Sequence, residues 1–345
     1  MTYASNFLLL SIELKMAKYF FSFFFFLALI NNTYGQDIHW SQFNDNQLFQ
    51  NPGNAGHFDG DYRFIGNYRD QWRSVTVPFS TFSLSADAHI KNLGLGLQLF
   101  NDQAGDGKFR TTEVHAAFSY LIKFKKDAQH MFRPGITIGM NQRQVDWNAF
   151  SFDSQYNGYV FNPSAPSNEN FQNSRKTNPT IGLGLIHEWR KNERFKISSG
   201  LGLFNINQAN QGFYDEIVKR DQRWNLFSKI TIPVANKWDI IPSISYTQQG
   251  IYRELNFGAN AKYYLGNSNI HQALYFGVWN RSKDASFVSL GYDYSNLFIG
   301  VSYDINYSQL VPASNLRGGV EISIRYIIHR FKPKQTLHRV CPDFI

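Results

Sequence analysis

Cysteine is almost absent from the chain. Cys341 is the single one among 345 residues. No internal disulfide framework and no thiolate metal site can therefore form. Cys341 is either a free tail thiol or an intermolecular partner. Also missing is any block of Lys and Arg. The net charge is +8, but it is spread along the sequence, which argues against a nucleic acid as partner. Past Ile30 no apolar run approaches the roughly 20 residues that a membrane-spanning helix needs. There is no zinc-protease helix motif, no P-loop, no dinucleotide glycine signature after a strand and no Gly-x-Ser-x-Gly elbow. Nothing calls for a cofactor, and no enzyme activity is expected.

What is present begins with a targeting segment. Lys15 and Lys18 precede the apolar run from Tyr19 to Ile30, and Thr33 and Gly35 follow at signal-peptidase spacing. Residues 1–35 read as a signal peptide cleaved before Gln36, with Met16 an alternative start. The run is too short for a membrane anchor, so the mature chain is expected to be exported.

After that, strand follows strand. In 82–89, Phe82, Leu84, Ala86 and Ala88 alternate with Ser83, Ser85, Asp87 and His89. In 297–305, Leu297, Ile299, Val301, Tyr303 and Ile305 alternate with Ser302 and Asp304. A period of two places the apolar set on one face and the polar set on the other. Aromatics make up 17% of the chain, which suits a barrel with aromatic girdles. We place strands at 61–72, 77–89, 92–101, 110–123, 132–144, 178–190, 195–206, 222–233, 238–248, 251–265, 271–281, 285–294, 296–304 and 318–329. The expected fold is all-β: a closed antiparallel transmembrane β-barrel of about 14 strands, with 12 the alternative, over residues 61–329.

Connection lengths test this independently. The even-numbered ones (90–91, 124–131, 191–194, 234–237, 266–270, 295) are all short, and the long ones (102–109, 145–177, 207–221, 305–317) are all odd-numbered. That asymmetry belongs to outer-membrane barrels and places the loops 145–177 and 207–221 outside the cell and both termini on the periplasmic side. Three strands carry alternating glycines: Leu93–Leu97, Ile181–Leu185 and Gly200–Leu203. A face without side chains either admits another backbone, such as a plug, or relieves crowding where a strand bends.

Weaker signals carry little. The acidic stretch at Asp102 and Asp106 lacks the alternating carboxylates and terminal Glu of an EF-hand. Ser85, His89 and His115 would lie on polar strand faces, as any barrel with a polar interior allows. The tail 330–345 contains Pro333 and Pro342, which discourage further pairing, and is expected on the periplasmic side.

The opening of the mature chain has its own character. It runs Asp37-Ile38-His39-Trp40-Ser41-Gln42-Phe43, then Gln50-Asn51-Pro52-Gly53-Asn54-Ala55-Gly56, Gly60-Asp61-Tyr62-Arg63, Tyr68-Arg69-Asp70-Gln71-Trp72 and Pro78-Phe79-Ser80-Thr81. This ordered series resembles the start of the PorP/SprF family of type IX secretion proteins. The end resembles the family too: Ser302–Asn306, Gly318–Ser323 and Cys341-Pro342-Asp343-Phe344. Gly53 replaces the usual Ala, and Ile38 the usual small residue or Pro. The resemblance implies an outer-membrane barrel of the secretion and gliding machinery, docking a cell-surface adhesin or other secreted cargo and periplasmic secretion-system subunits, without catalysis. A transport barrel, porin-like or for a hydrophobic ligand, is the alternative. Residues 36–60, with Trp40, Phe43, Leu48 and Phe49, carry too much apolar surface to leave in water. They are expected to fold against the periplasmic mouth or into the lumen; the competing view is a flexible docking arm. Candidate plug or partner-binding residues are Asp37, His39, Trp40, Ser41, Phe43, Asn51, Pro52, Tyr68, Arg69, Trp72 and Cys341. Outer-membrane lipid is the remaining partner, met by the barrel's outer face.

Overall fold

A computed structural model describes residues 37–71, 78–105, 107–124, 127–169, 173–214, 216–266, 271–308 and 311–330. The period-two pattern resolves into fourteen antiparallel strands: β1 Tyr62–Gln71, β2 Phe79–Ile90, β3 Leu93–Ala104, β4 Phe109–Tyr120 continued by Ile122–Phe124, β5 Asp127–Gln144, β6 Arg175–Arg190, β7 Lys196–Phe204, β8 Arg223–Ala235, β9 Trp238–Gln249, β10 Tyr252–Tyr264, β11 Gln272–Arg281, β12 Ala285–Tyr294, β13 Leu297–Asn306 and β14 Arg317–Ile328. Each strand pairs with its sequence neighbour. β1 pairs with β14 from Tyr62↔Ile328 to Gln71↔Gly319, which closes the sheet into a barrel. Closure satisfies the backbone hydrogen bonds within the wall and leaves no edge, which a strand must achieve in hydrocarbon.

The wall is inside out relative to a water-soluble protein. On β3, Leu93, Leu95, Leu97 and Leu99 are exposed while Gly94, Gly96, Gln98 and Phe100 are buried. On β13, Ile299, Val301, Tyr303 and Ile305 point outward, and Ser302, Asp304 and Asn306 inward. Register sets apolar beside apolar on the outside, as in Val301↔Ile322 and Ile299↔Ile324. Such a band would be an aggregation surface in water; in a bilayer it faces lipid.

The connections sort by end. At one rim lie the short connections 91–92, 191–195, 236–237 and 295–296; at the other lie the described parts of the longest, 145–174, 205–222 and 307–316. Two expected connections shrink. β5 begins at Asp127, so most of the expected connection 124–131 is strand, and β3 runs on to Ala104, where Asp102 accepts from Thr81 Oγ1 at 2.7 Å.

Candidate functional site: an N-terminal segment held in the lumen

Before β1 the chain has no alternation, and it builds a 3₁₀ turn Phe43–Asp45, an α turn Gln47–Gln50 and a 3₁₀ turn Pro52–Asn54. Its Trp40, Phe43, Leu48 and Ala55 are all buried. Their partners are inward side chains. Phe43 packs edge-on to Trp279 of β11, which stacks on Phe287 of β12. Trp40 meets Phe49, and Phe49 lies against Phe100 of β3 beneath the guanidinium of Arg223.

Polar anchors fix the segment at both ends. Toward the long-loop end, Glu321 of β14 receives the backbone N–H groups of Ser41 (2.7 Å) and Gln42 (2.9 Å). Arg69 of β1, opposite Glu321 in register, donates to its carboxylate at 2.9 Å and to Asp304 at 2.7 Å. The Ser41 hydroxyl donates to Asp304 (2.7 Å) and accepts from Arg281 (2.7 Å) and Arg69. Arg281 also reaches Asp304 at 3.3 Å. Two guanidiniums thus face two carboxylates around one serine, all essentially buried. Toward the short-turn end the device recurs. Arg63 of β1 grips Asp87, its register partner on β2, at 2.7 and 2.9 Å. It also donates to the carbonyl of Asn54 (3.0 Å), while Gly56 N–H donates to Asp87 (2.7 Å). The Ala55 carbonyl accepts from Ser119 and Arg133, and His57 pairs with Glu188 at 3.0 Å. The chain therefore runs through the lumen from the long-loop half to the short-turn rim, where it enters β1.

Glycines give the turn Asn51–Asn54 its seat. The Asn51 side chain accepts from Gly53 N–H at 2.8 Å, capping that turn. A Cβ on Gly184 of β6 would come within 2.1 Å of Asn51 Oδ1, one on Gly135 of β5 within 2.5 Å of Gly53 N, and one on Gly94 of β3 within 2.0 Å of the Ala55 carbonyl oxygen. Gly182 and Gly200 differ, since their nearest neighbours are wall side chains such as Thr137, Phe204 and Phe227. Both readings of the alternating glycines hold, at different positions.

His39 is held neutral. Burial, then the guanidiniums of Arg281 and Arg69, keep its pKa well below the usual imidazole range. The geometry agrees: Arg69 Nη2 lies 3.3 Å from Nε2 and can only donate, so Nε2 accepts, while Nδ1 lies 3.3 Å from Glu254.

Of the expected residues, the lumen brings together His39, Trp40, Ser41, Phe43, Asn51, Pro52 and Arg69. Asp37 is half-buried at the start of the described chain. Tyr68 is elsewhere: it sits on the outward, lipid-side face, opposite Phe82 and Ile322, because it is odd in parity to Arg69. Trp72 and Cys341 lie outside the described residues. Composition reasoning missed Arg63, Asp87, Arg281, Asp304 and Glu321. A signal existed, since a charge on a membrane strand is tolerated only facing inward and paired, and Arg63 and Arg69 are an even number of residues apart.

At the far mouth, Arg220 from the connection 205–222 enters the lumen to meet Glu113 of β4 at 2.6 Å, and Trp147 packs against Phe213 and Tyr214. His115, expected on a polar strand face, contacts Thr180 and Glu113.

A closed wall, an apolar outer band and a polar lumen occupied by the chain's own N-terminal segment define an outer-membrane β-barrel. Its sequence is matched over residues 32–326 by the model of a family described as "Type IX secretion system membrane protein PorP/SprF". The chain belongs to the PorP/SprF family. No curated protein matches it. In fold it is similar to the Ralstonia pickettii toluene transporter TbuX, with 9% identity, a TM-score of 0.52, and 83% of this chain and 94% of that one covered. It is also similar to the Pseudomonas putida toluene transporter TodX, with 8% identity, a TM-score of 0.50, and 84% and 94% covered. At such identities the likeness is one of barrel architecture.

Proposed function

We propose that this protein is a docking component of the type IX secretion machinery, holding secreted cargo such as a cell-surface adhesin at the outer membrane rather than conducting solutes. On this reading the long connections face outward toward cargo, and the short-turn rim faces the periplasmic subunits. The observation that carries it is the occupied lumen: residues 38–57 are hydrogen-bonded at both ends to ion pairs buried in the wall. A transport barrel would need that segment to leave. No catalytic step is assigned to any residue.

Affinity purification of the tagged protein from detergent-solubilised outer membrane should retain cargo and secretion-system subunits, and the purified barrel should be silent in planar bilayers. Deleting 37–50 should open an ion conductance. A wild-type barrel that conducts and retains no partner would favour the transport reading, to which the toluene-transporter fold lends what support it has.

A further inference from the structure

The lumen is not filled evenly. Beside the N-terminal segment a cavity of about 960 Å³ runs from the short-turn rim, at Lys91 and Arg194, to a closed inner end at Ser41, Gln42 and Trp279. Among the described residues, none from the long connections 145–174, 205–222 or 307–316 lines it. It is a blind vestibule, at the upper end of the roughly 300–1,000 Å³ usual for ligand sites. Its wall is cationic. Arg63, Lys91, Lys123, Arg133, Arg190, Arg194, Lys196, Lys229, Lys262 and Arg325 line it against six carboxylates, those of Asp45, Asp59, Asp61, Glu188, Glu193 and Asp239; Arg63 is also paired with Asp87, and Lys262 and Arg325 with Asp293, so a smaller positive excess remains.

Two of the lining carboxylates are already engaged within the barrel. Asp45 is paired with Arg325 at 3.0 Å; Glu188 is paired with His57 at 3.0 Å and with Arg190 at 2.8 Å. Lys196 of β7 and Lys229 of β8 have no such partner: among the described residues neither makes an ion pair or a side-chain hydrogen bond. The register Ser198↔Lys229 and Lys196↔Thr231 places them as diagonal neighbours on the inner face. Two half-buried like charges on neighbouring strands repel, and an anion bound between them relieves that repulsion.

We propose that this vestibule is a binding site for an acidic, extended peptide segment presented at the short-turn rim, with Lys196 and Lys229 as its central carboxylate ligands. A peptide fits better than a lone anion, because the cationic wall continues from rim to blind end. Lipid headgroups are kept out by the barrel wall. The chain's own tail has the wrong sign, with Lys332, Lys334 and Arg339 against Asp343 in 331–345. The inference rests on the docking reading only for the side from which the peptide arrives.

The test is fluorescence anisotropy of a fluorescein-labelled hexaglutamate peptide with the full-length protein in detergent. Wild type should bind saturably, and weaken as salt rises from about 50 to about 500 mM. Lys196→Gln with Lys229→Gln should weaken binding about tenfold, as loss of two partly buried charge contacts implies. Lys176→Gln with Lys219→Gln, at the opposite end, should change nothing. Lys229→Met alone serves as the second variant and should weaken binding about threefold. Absence of saturable binding, equal binding by the vestibule variants, or displacement by inorganic phosphate at the peptide's own carboxylate concentration would overturn the proposal. If secretion subunits still co-purify in that case, the docking reading survives its loss.

Discussion

The lumen works residue by residue through charge that cannot be left alone. Arg69 is almost wholly buried and holds Glu321 and Asp304 together. Removing one member of a buried ion pair typically costs about 3–5 kcal/mol, because the remaining charge loses its compensation. Arg69→Met should therefore lower the temperature at which the barrel loses its folded gel mobility. Adding Glu321→Gln should recover part of the loss; a double variant as weak as the single would refute the pairing argument. His39 supplies a pH dependence with the opposite sense to an ordinary exposed pair. Its folded pKa is depressed, so the folded state binds fewer protons there than the unfolded one. The contribution is complete above the ordinary imidazole value of about 6.5 and declines as pH falls below it. Burial depresses His57 in the same way despite Glu188, and it raises Asp45, which acts oppositely at lower pH. The hydrogen-exchange protection factors of residues 38–42, with the intrinsic pH dependence of amide exchange divided out, should fall between about pH 7.5 and 5.5, and His39→Gln should flatten that change.

Elements were legible where they repeat. Phe82 to His89 and Leu297 to Ile305 alternate so cleanly that strand and face follow from parity alone. The start of β5 was not legible, since the polar residues from Asp127 to His130 look like part of a turn until the pairing of Ile122–Phe124 with Asp127–Phe132 extends the strand. The path of the N-terminal segment was equally hidden. Short 3₁₀ and α turns have no period, and their positions are set by contacts with seven or more strands at once. What the sequence did display was the seat, as alternating glycine. Gly184→Val should press on Asn51 and Pro52 and unseat the turn while the barrel still assembles, because the outward neighbours of Gly184 are untouched. Gly66→Ala is the control, as its Cβ would sit at an ordinary 3.4 Å from a Leu84 methyl. Faster exchange at 50–54 in Gly184→Val alone is the expected result; unchanged exchange there would show that the glycine serves only the strand.

At the scale of the whole molecule the two rims differ in length, chemistry and cleavability. The connection 145–174 has no Lys or Arg but exposes Tyr156, Tyr159 and Val160, and 205–222 exposes Ile217. The short connection 191–195 reads Lys-Asn-Glu-Arg-Phe. Chymotryptic cleavage at Tyr156 or Tyr159 and tryptic cleavage at Lys191 or Arg194 therefore report on opposite ends, while Lys219 gives trypsin a separate site on the long-loop side. In outer-membrane barrels the long loops face outward, and the docking reading needs them there to meet cargo. Chymotrypsin added to intact cells should cut near Tyr156 or Tyr159. Trypsin should leave Lys191 and Arg194 uncut until the outer membrane is permeabilised, and should then cut there. Tryptic cleavage at 191–194 in intact cells would invert the barrel. The cationic vestibule would then open on the cell surface, and the periplasmic partner would have to reach the rim that 145–174 and 205–222 cover.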